Sequence, residues 1–206
     1  MSEDHYFTAD PSSSFTRSPV DAEVWGHRLS LTSGSGVFAQ GRLDVGTAVL
    51  FRETEPPGAG VRRVLDLGCG YGVIGLAVAL ASPSVEVTGV DVNERAVLLA
   101  NENAAALSLT HPGLGDRFRA VTPGEVDPSV AYDEIWSNPP IRIGKDALHD
   151  LLLSWLPRLV PGGRAVMVVG RNLGGDSLQR WLTTQGYPTS RIGSAKGFRV
   201  LETRRP

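Results

Sequence analysis

From Arg62 onward the chain alternates two kinds of apolar pattern. Short apolar-rich runs read as strands buried in a sheet: RRVLDL at Arg62–Leu67, VEVTGVD at Val85–Asp91, RFRAV at Arg117–Val121, DEIWSN at Asp133–Asn138 and RAVMVV at Arg164–Val169. Between them lie segments with apolar residues at helical spacing, Val73–Ala81, Glu94–Leu107 and Lys145–Leu159, with Ser177–Thr184 after the last run. This alternation predicts an α/β fold: a doubly wound, mostly parallel sheet covered by helices on both faces. Two further strand candidates, near Thr189–Ile192 and Gly197–Thr203, have too little chain between them for a helical crossover and are expected to pair antiparallel.

Ahead of that unit, Val24–Leu31 alternates weakly as a strand and Leu43–Phe51 has helical spacing. Pro11–Pro19 (PSSSFTRSP) and Glu55–Gly60 (EPPGAG) are turn-rich breaks, and the second reads as a junction. Residues 1–57 are therefore expected to form an N-terminal extension packing on a core built by residues 58–206, one domain overall. A chain of 206 residues hides roughly 70% of its unfolded surface and needs no staple. Its single cysteine, Cys69, excludes a disulfide framework and a multi-cysteine zinc site, and no metal is expected.

One uncharged stretch, Leu67–Val85, approaches the ~20 residues of a membrane span. It holds Gly68, Gly70, Gly72, Gly75 and Pro83 between Asp66 and Glu86, so a turn followed by a buried helix explains it better. No membrane partner is expected. The opening MSEDHYF carries two acids and no apolar run, which predicts a cytoplasmic protein.

The net charge of −2 conceals an asymmetry. Met1–Pro140 has 9 Arg against 18 acids, or −9, while Ile141–Pro206 has 9 Arg and 2 Lys against 4 acids, or +7. Such segregation is compatible with an ordinary solvated surface and with a basic face for a polyanion such as RNA.

In an open α/β sheet a ligand lies outside the carboxyl ends of the strands, so the residues following each strand carry the chemistry. After the first, Asp66-Leu67-Gly68-Cys69-Gly70-Tyr71-Gly72 sets glycines at alternate positions before a helix, where the backbone can turn sharply and present N–H groups to a ligand. Gly70–Gly75 also satisfies the dinucleotide pattern G-x-G-x-x-G, so the loop alone implies a nucleotide-like ligand without naming it. After the second strand stands Asp91, 21 residues beyond Gly70, where a carboxylate can accept both hydroxyls of a ribose; Val92 follows it. Asn93 reads as the cap of the next helix. The third strand end offers only Thr122 or backbone amides.

The fourth strand end is Asn138-Pro139-Pro140-Ile141. Two prolines fix φ and remove two donors, leaving a rigid turn that offers the Asn138 amide oxygen and the Pro139 carbonyl as acceptors. Two acceptors can grip an NH2 group and hold its lone pair in line with an electrophile, which is most of what methyl transfer requires.

With these strand ends in register, the chain resembles the class I S-adenosylmethionine-dependent methyltransferases, and more narrowly the small-domain branch related to the ribosomal RNA small-subunit guanine-N2 methyltransferases. Ser35–Phe38, Leu43–Thr47, Asp91–Ala96, Asn138–Lys145, Pro161–Gly163 and Lys196–Phe198 carry the likeness along nearly the whole chain. The resemblance implies a seven-stranded sheet with the last strand antiparallel and S-adenosylmethionine across the glycine loop. Asp66 and the backbone of Gly68, Gly70 and Gly72 would face its methionine part, and Asp91 with Val92 and Thr122 its nucleoside. Asn138, Pro139, Pro140 and Ile141 would form the catalytic turn, although Ile141 stands where an aromatic often stacks on the target base. Phe38 is the substitute for that stacking, and Arg142 and Lys145 are candidate phosphate contacts. The expected partner is ribosomal RNA or the small subunit, bound by a monomer or homodimer.

Methyl transfer of this kind needs no strong base, since an alkylated amine loses its proton to water; His5, His27, His111 and His149 are therefore read as non-catalytic, and Cys69 as packing. A DNA adenine-N6 or protein glutamine-N5 methyltransferase would use the same turn. An NAD-dependent oxidoreductase would explain the glycines and Asp91 but not Asn138-Pro139-Pro140.

Overall fold

The computed structural model describes residues 15–39, 41–140 and 143–206. It opens with a hairpin, β1 (Arg17–Val24) and β2 (His27–Gly34), paired from Arg17↔Gly34 to Val24↔His27. The weak alternation of Val24–Leu31 predicts a single strand, but that stretch straddles a two-residue turn. Trp25 and Gly26 take φ of 49° and 79°, the pair of positive values that suits a tight hairpin. Trp25 is an unusual residue there, and its indole is what the turn delivers. Its Nε1 donates to the carbonyls of Phe51 (3.1 Å) and Thr54 (2.8 Å), and its ring meets Phe51 and Trp136 edge-on. The strand β1 also begins inside the stretch read as a turn-rich break, with Pro19 tolerated in an edge strand.

The elements that follow are α1 (Val45–Arg52), β3 (Arg63–Leu67), α2 (Val73–Ala81), β4 (Glu86–Val90), α3 (Glu94–Ser108), the single turn α4 (Leu114–Arg117) and β5 (Phe118–Val121). Then come β6 (Tyr132–Ser137), α5 (Lys145–Trp155), β7 (Leu159–Gly170), α6 (Gly175–Thr184), β8 (Thr189–Ala195) and β9 (Phe198–Arg204). The helix expected to reach Leu159 stops at Trp155, because Pro157 converts the next residues into a 3-10 turn and frees Leu159 to start β7.

The large sheet has seven strands in the order β5-β4-β3-β6-β7-β9-β8. Pairings from β5 through β7 are parallel, and β9 runs antiparallel to both β7 and β8. The last strand in the chain is thus inserted one place from the edge. This is the class I methyltransferase arrangement.

Side chains alternate across the sheet and feed two cores. Val64 and Trp136 face a core shared with α2, α3 and the hairpin, while Leu65 and Ile135 face one shared with α5 and α6. Asn103 of α3 ties the hairpin down: its Nδ2 donates to the carbonyls of Thr32 (2.9 Å) and Tyr71 (2.9 Å), and its Oδ1 accepts the Thr32 amide (2.8 Å). One buried amide therefore joins β2 to the loop after β3. Among the described residues no helix is long and apolar enough to cross a membrane.

Candidate functional site

The carboxyl ends of β3, β4 and β6 and the start of α1 meet around a cavity of about 470 Å³, within the ~300–1,000 Å³ typical of small-molecule sites. The loop after β3 forms its floor. Gly68 and Gly70 line it with φ of 73° and 55°. A Cβ at Gly70 would meet nothing within 4 Å, so the space above it is open to a ligand. Gly72, with φ of 89°, turns away: a Cβ there would stand 3.0 Å from Ala100 Cβ, so this glycine admits close packing of the α2 entrance on α3.

Asp66 is fully buried and does not line the cavity. Its Oδ2 accepts the Gly75 amide at 2.8 Å, joining β3 to α2, while Oδ1 has no hydrogen-bond partner among the described residues. Burial, with a smaller contribution from Asp91, pushes this carboxyl up to about 7. Asp91 does line the cavity, beside Val92, which is 46% exposed. Its Oδ2 accepts the Gly70 amide (2.9 Å) and its Oδ1 the Asn93 amide (2.9 Å). Burial raises its pKa, and these amides pull the other way. Asn93 is the cap expected of it, accepting from the Arg95 amide (3.0 Å), and its Nδ2 donates to the Gly36 carbonyl (2.7 Å). That bond anchors the segment carrying Phe38, which sits 40% exposed on the cavity wall.

Thr122 is turned into its own loop. Its amide and hydroxyl both donate to Glu125 Oε2 at 2.8 Å, and Pro123 rather than Thr122 lines the cavity. Lys145 opens α5 on the exposed surface and is not part of the lining. Ile141 and Arg142 lie outside the described residues, as does His5. Cys69 is buried, and burial together with Asp91 and Asp66 pushes its thiol well up, as suits a packing residue. Its neighbour Tyr71 is buried too, its phenol raised by burial and by Asp44. His149 stacks flat on Trp181 at 3.4 Å, away from the cavity.

The turn after β6 is held from two sides. Ser137 Oγ donates to the Leu67 carbonyl at 2.6 Å, fixing the end of β6 to the end of β3. Asn138 Nδ2 donates to Asp44 Oδ1 (2.7 Å) and to Thr47 Oγ1 (3.0 Å), so both amide hydrogens are consumed. Among the described residues the Asn138 Oδ1 is left as the free acceptor, with Pro139 and Pro140 also on the cavity wall. Asp44 also accepts the Thr47 amide (3.0 Å) and caps α1. An acid just before a helical run is a capping signal, but nothing in the local pattern marks Asp44 as part of a ligand site. Arg42, Leu151, Trp155 and Phe198, which also line the cavity, were not assigned a role either. Leu151 and Trp155 are four residues apart on α5 and so share a face.

A family model of the methyltransferase small domain matches residues 28–202. The chain belongs to the methyltransferase small-domain family. This membership decides what the glycine loop left open, in favour of a methyltransferase over an oxidoreductase. The family's members similar to this chain differ in length. It is 32% identical to the uncharacterized protein YbxB of Bacillus subtilis across the whole of both chains. It is 37% identical to the ribosomal RNA large subunit methyltransferase G of Streptomyces avermitilis over 70% of this chain and 38% of the relative. With the ribosomal RNA small subunit methyltransferase C of Pasteurella multocida it shares 36% identity over 68% of this chain and 42% of the relative. The chain therefore spans well under half of these two rRNA methyltransferases. Among solved structures, the T. thermophilus 16S rRNA N2 G1207 methyltransferase, in complex with AdoMet and guanosine, superposes with a TM-score of 0.74 at 24% identity, over 96% of this chain and 53% of that one.

Proposed function

We propose that the protein is an S-adenosylmethionine-dependent N-methyltransferase that acts on the N2 amine of a guanine in ribosomal RNA. The observation that carries the reading is the Asn138 amide, whose two hydrogens are held by Asp44 and Thr47 so that only an acceptor faces the cavity. A side chain locked in that sense suits a donor such as NH2. The cofactor fits the residues present: an open glycine floor at Gly70, an acidic acceptor at Asp91, and a cavity of sufficient volume. Gly68 and Gly70 would hold its amino-acid end, and Asp91 with Val92 its ribose.

When bound, S-adenosylmethionine supplies a methyl group on a positively charged sulfur, an electrophile for an amine. Asn138 Oδ1 and the Pro139 carbonyl accept the two N–H bonds of the target and aim its lone pair across the cavity. The prolines stiffen the turn that carries the Pro139 carbonyl, and Asp44 and Thr47 keep the Asn138 amide from rotating. The proton lost after methylation passes to water, and no histidine among the described residues lines the cavity to take it. A base must leave its stack to reach such a site, at a cost of a few kcal/mol.

The RNA assignment rests on the named rRNA methyltransferases that the chain resembles and on the +7 carried by residues 141–206 against −9 before them. The test is transfer of labelled methyl from S-adenosylmethionine to undermethylated small and large ribosomal subunits and their free RNA, followed by nucleoside analysis. Label in N2-methylguanosine that is lost in Asn138→Ala supports the proposal. Label in adenine or in protein, or none with the cofactor bound, refutes it.

A further inference from the structure

The two oxygens of Asp44 are unequally employed. Oδ1 accepts the Thr47 amide at 3.0 Å and Asn138 Nδ2 at 2.7 Å. Among the described residues Oδ2 has neither a hydrogen-bond partner nor a cationic neighbour in ion-pair range, yet Asp44 lines the cavity beside Asn138 and Pro139. The carboxylate is also crowded into position. A Cβ at Gly46 would stand 2.9 Å from Asp44 Oδ1 and 2.9 Å from Phe198 Cε1, so this residue can only be glycine while both neighbours stay put.

Building on the guanine-N2 reading, we propose that Asp44 is the residue that selects guanine: its Oδ2 accepts N1–H of the target base while its Oδ1 holds Asn138 in the orientation that accepts the N2 amine. The chemistry of the base edges separates the candidates. In guanine the ring nitrogen next to the amine-bearing carbon carries a hydrogen, so the edge presents donors side by side. In adenine the corresponding nitrogen carries a lone pair. In a glutamine side chain the atom beside the NH2-bearing carbon is a carbonyl oxygen. A carboxylate can only accept. It therefore completes a row of acceptors that matches guanine, and it sets a negative charge against a lone pair for the other two. Asp44 thus discriminates as well as positions, and the discrimination comes largely from repulsion of the wrong substrate.

The test is nucleoside binding to the full chain saturated with S-adenosylhomocysteine, measured by saturation-transfer NMR with guanosine, N1-methylguanosine and 2-aminopurine riboside. The last two keep the exocyclic amine and lack N1–H. Guanosine is expected to bind about tenfold more tightly than either, the worth of one well-made base-edge contact. Asp44→Asn retains a side-chain oxygen for Thr47 and Asn138, and so retains the helix cap, but turns an NH2 toward the base. In that variant 2-aminopurine riboside is expected to bind more tightly than guanosine, a reversal that a purely structural role for Asp44 would not produce. Equal binding of the three nucleosides by the wild type, an unchanged ratio in the variant, or no guanosine binding at all overturns the inference. The labelled-methyl assay separates the two failures. N2-methylguanosine formed in RNA without any nucleoside preference removes only the role of Asp44, whereas its absence removes the guanine reading itself.

Discussion

Asp91 is stapled to the glycine loop by Gly70, whose amide donates to Asp91 Oδ2 at 2.9 Å. The same carboxylate takes the Asn93 amide on its other oxygen at 2.9 Å, so it positions two loops while keeping one further lone pair on each oxygen. Asp91→Asn puts an NH2 against one of those amides and loses an acceptor. S-adenosylhomocysteine affinity is expected to fall by about tenfold to a hundredfold, from one or two lost charge-assisted bonds, with a lower melting temperature from the unpaired amide. Calorimetric titration and thermal unfolding of the same variant check both; unchanged affinity would remove Asp91 from the cofactor site.

Two glycines that satisfy one sequence pattern do different work, and alanine should separate them. Gly70 has φ of 55° with nothing within 4 Å of its added Cβ. Gly70→Ala should cost about 1–2 kcal/mol of backbone strain and weaken cofactor binding, because the new methyl enters the cavity. At Gly75 the added Cβ would lie 2.7 Å from Phe118 Cε2 and 3.0 Å from Val87 Cγ1. Gly75→Ala should destabilise by about 1–3 kcal/mol through overpacking while the surviving folded protein binds cofactor as before. If both variants lose affinity equally at matched folded fraction, the division fails.

The contrast shows what a sequence can carry. The strands were legible because a sheet buried on both faces leaves dense apolar runs, and the place of Asp91 and Asn138 on the cavity wall was legible because residues at strand ends of such a sheet face its ligand crevice. The hairpin was not. Trp25 is a poor candidate for a turn with positive φ, and only its packing against Phe51 and Trp136, far away in sequence, explains why the chain reverses there. Thr122 looked like a ligand contact by position alone, but nothing in the strand pattern reveals that Glu125 claims its hydroxyl. Asp44 was visible as a helix cap and invisible as a partner of Asn138, because a contact across 94 residues leaves no local pattern.

Stability should depend on pH through Asp66. Its carboxyl titrates at about 7 in the fold against 3.8 for the ordinary group, because burial disfavours the charge. The folded state therefore keeps a proton that the unfolded chain has already lost between these values, and folding takes one up. The stabilising contribution is complete below about pH 4 and is lost progressively as pH rises to about 7, by a total on the order of 4 kcal/mol at 1.36 kcal/mol per unit. Chemical denaturation without cofactor should show lower stability at pH 8 than at pH 5.5. Asp66→Asn, whose side-chain oxygen can still accept the Gly75 amide, should flatten that slope; an unaltered slope would assign the dependence to another group.

RNA binding and methyl transfer should come apart at Arg42 and Asn138. Arg42 is exposed, lines the cavity and forms no ion pair among the described residues, so its guanidinium is available to a phosphate at the mouth. A phosphate contact acts through counterion release and is indifferent to base identity. Arg42→Ala should weaken RNA binding severalfold on every sequence and reduce the slope of log affinity against log salt by about 1. Asn138→Ala should leave that slope unchanged and abolish transfer, because in the proposed mechanism it removes an acceptor for the target amine and no charge. Filter binding across a salt series, run beside the labelled-methyl assay, measures both quantities on one preparation. A slope that stays constant in Arg42→Ala would move the electrostatic contact elsewhere, to the basic residues that follow the Asn138 turn.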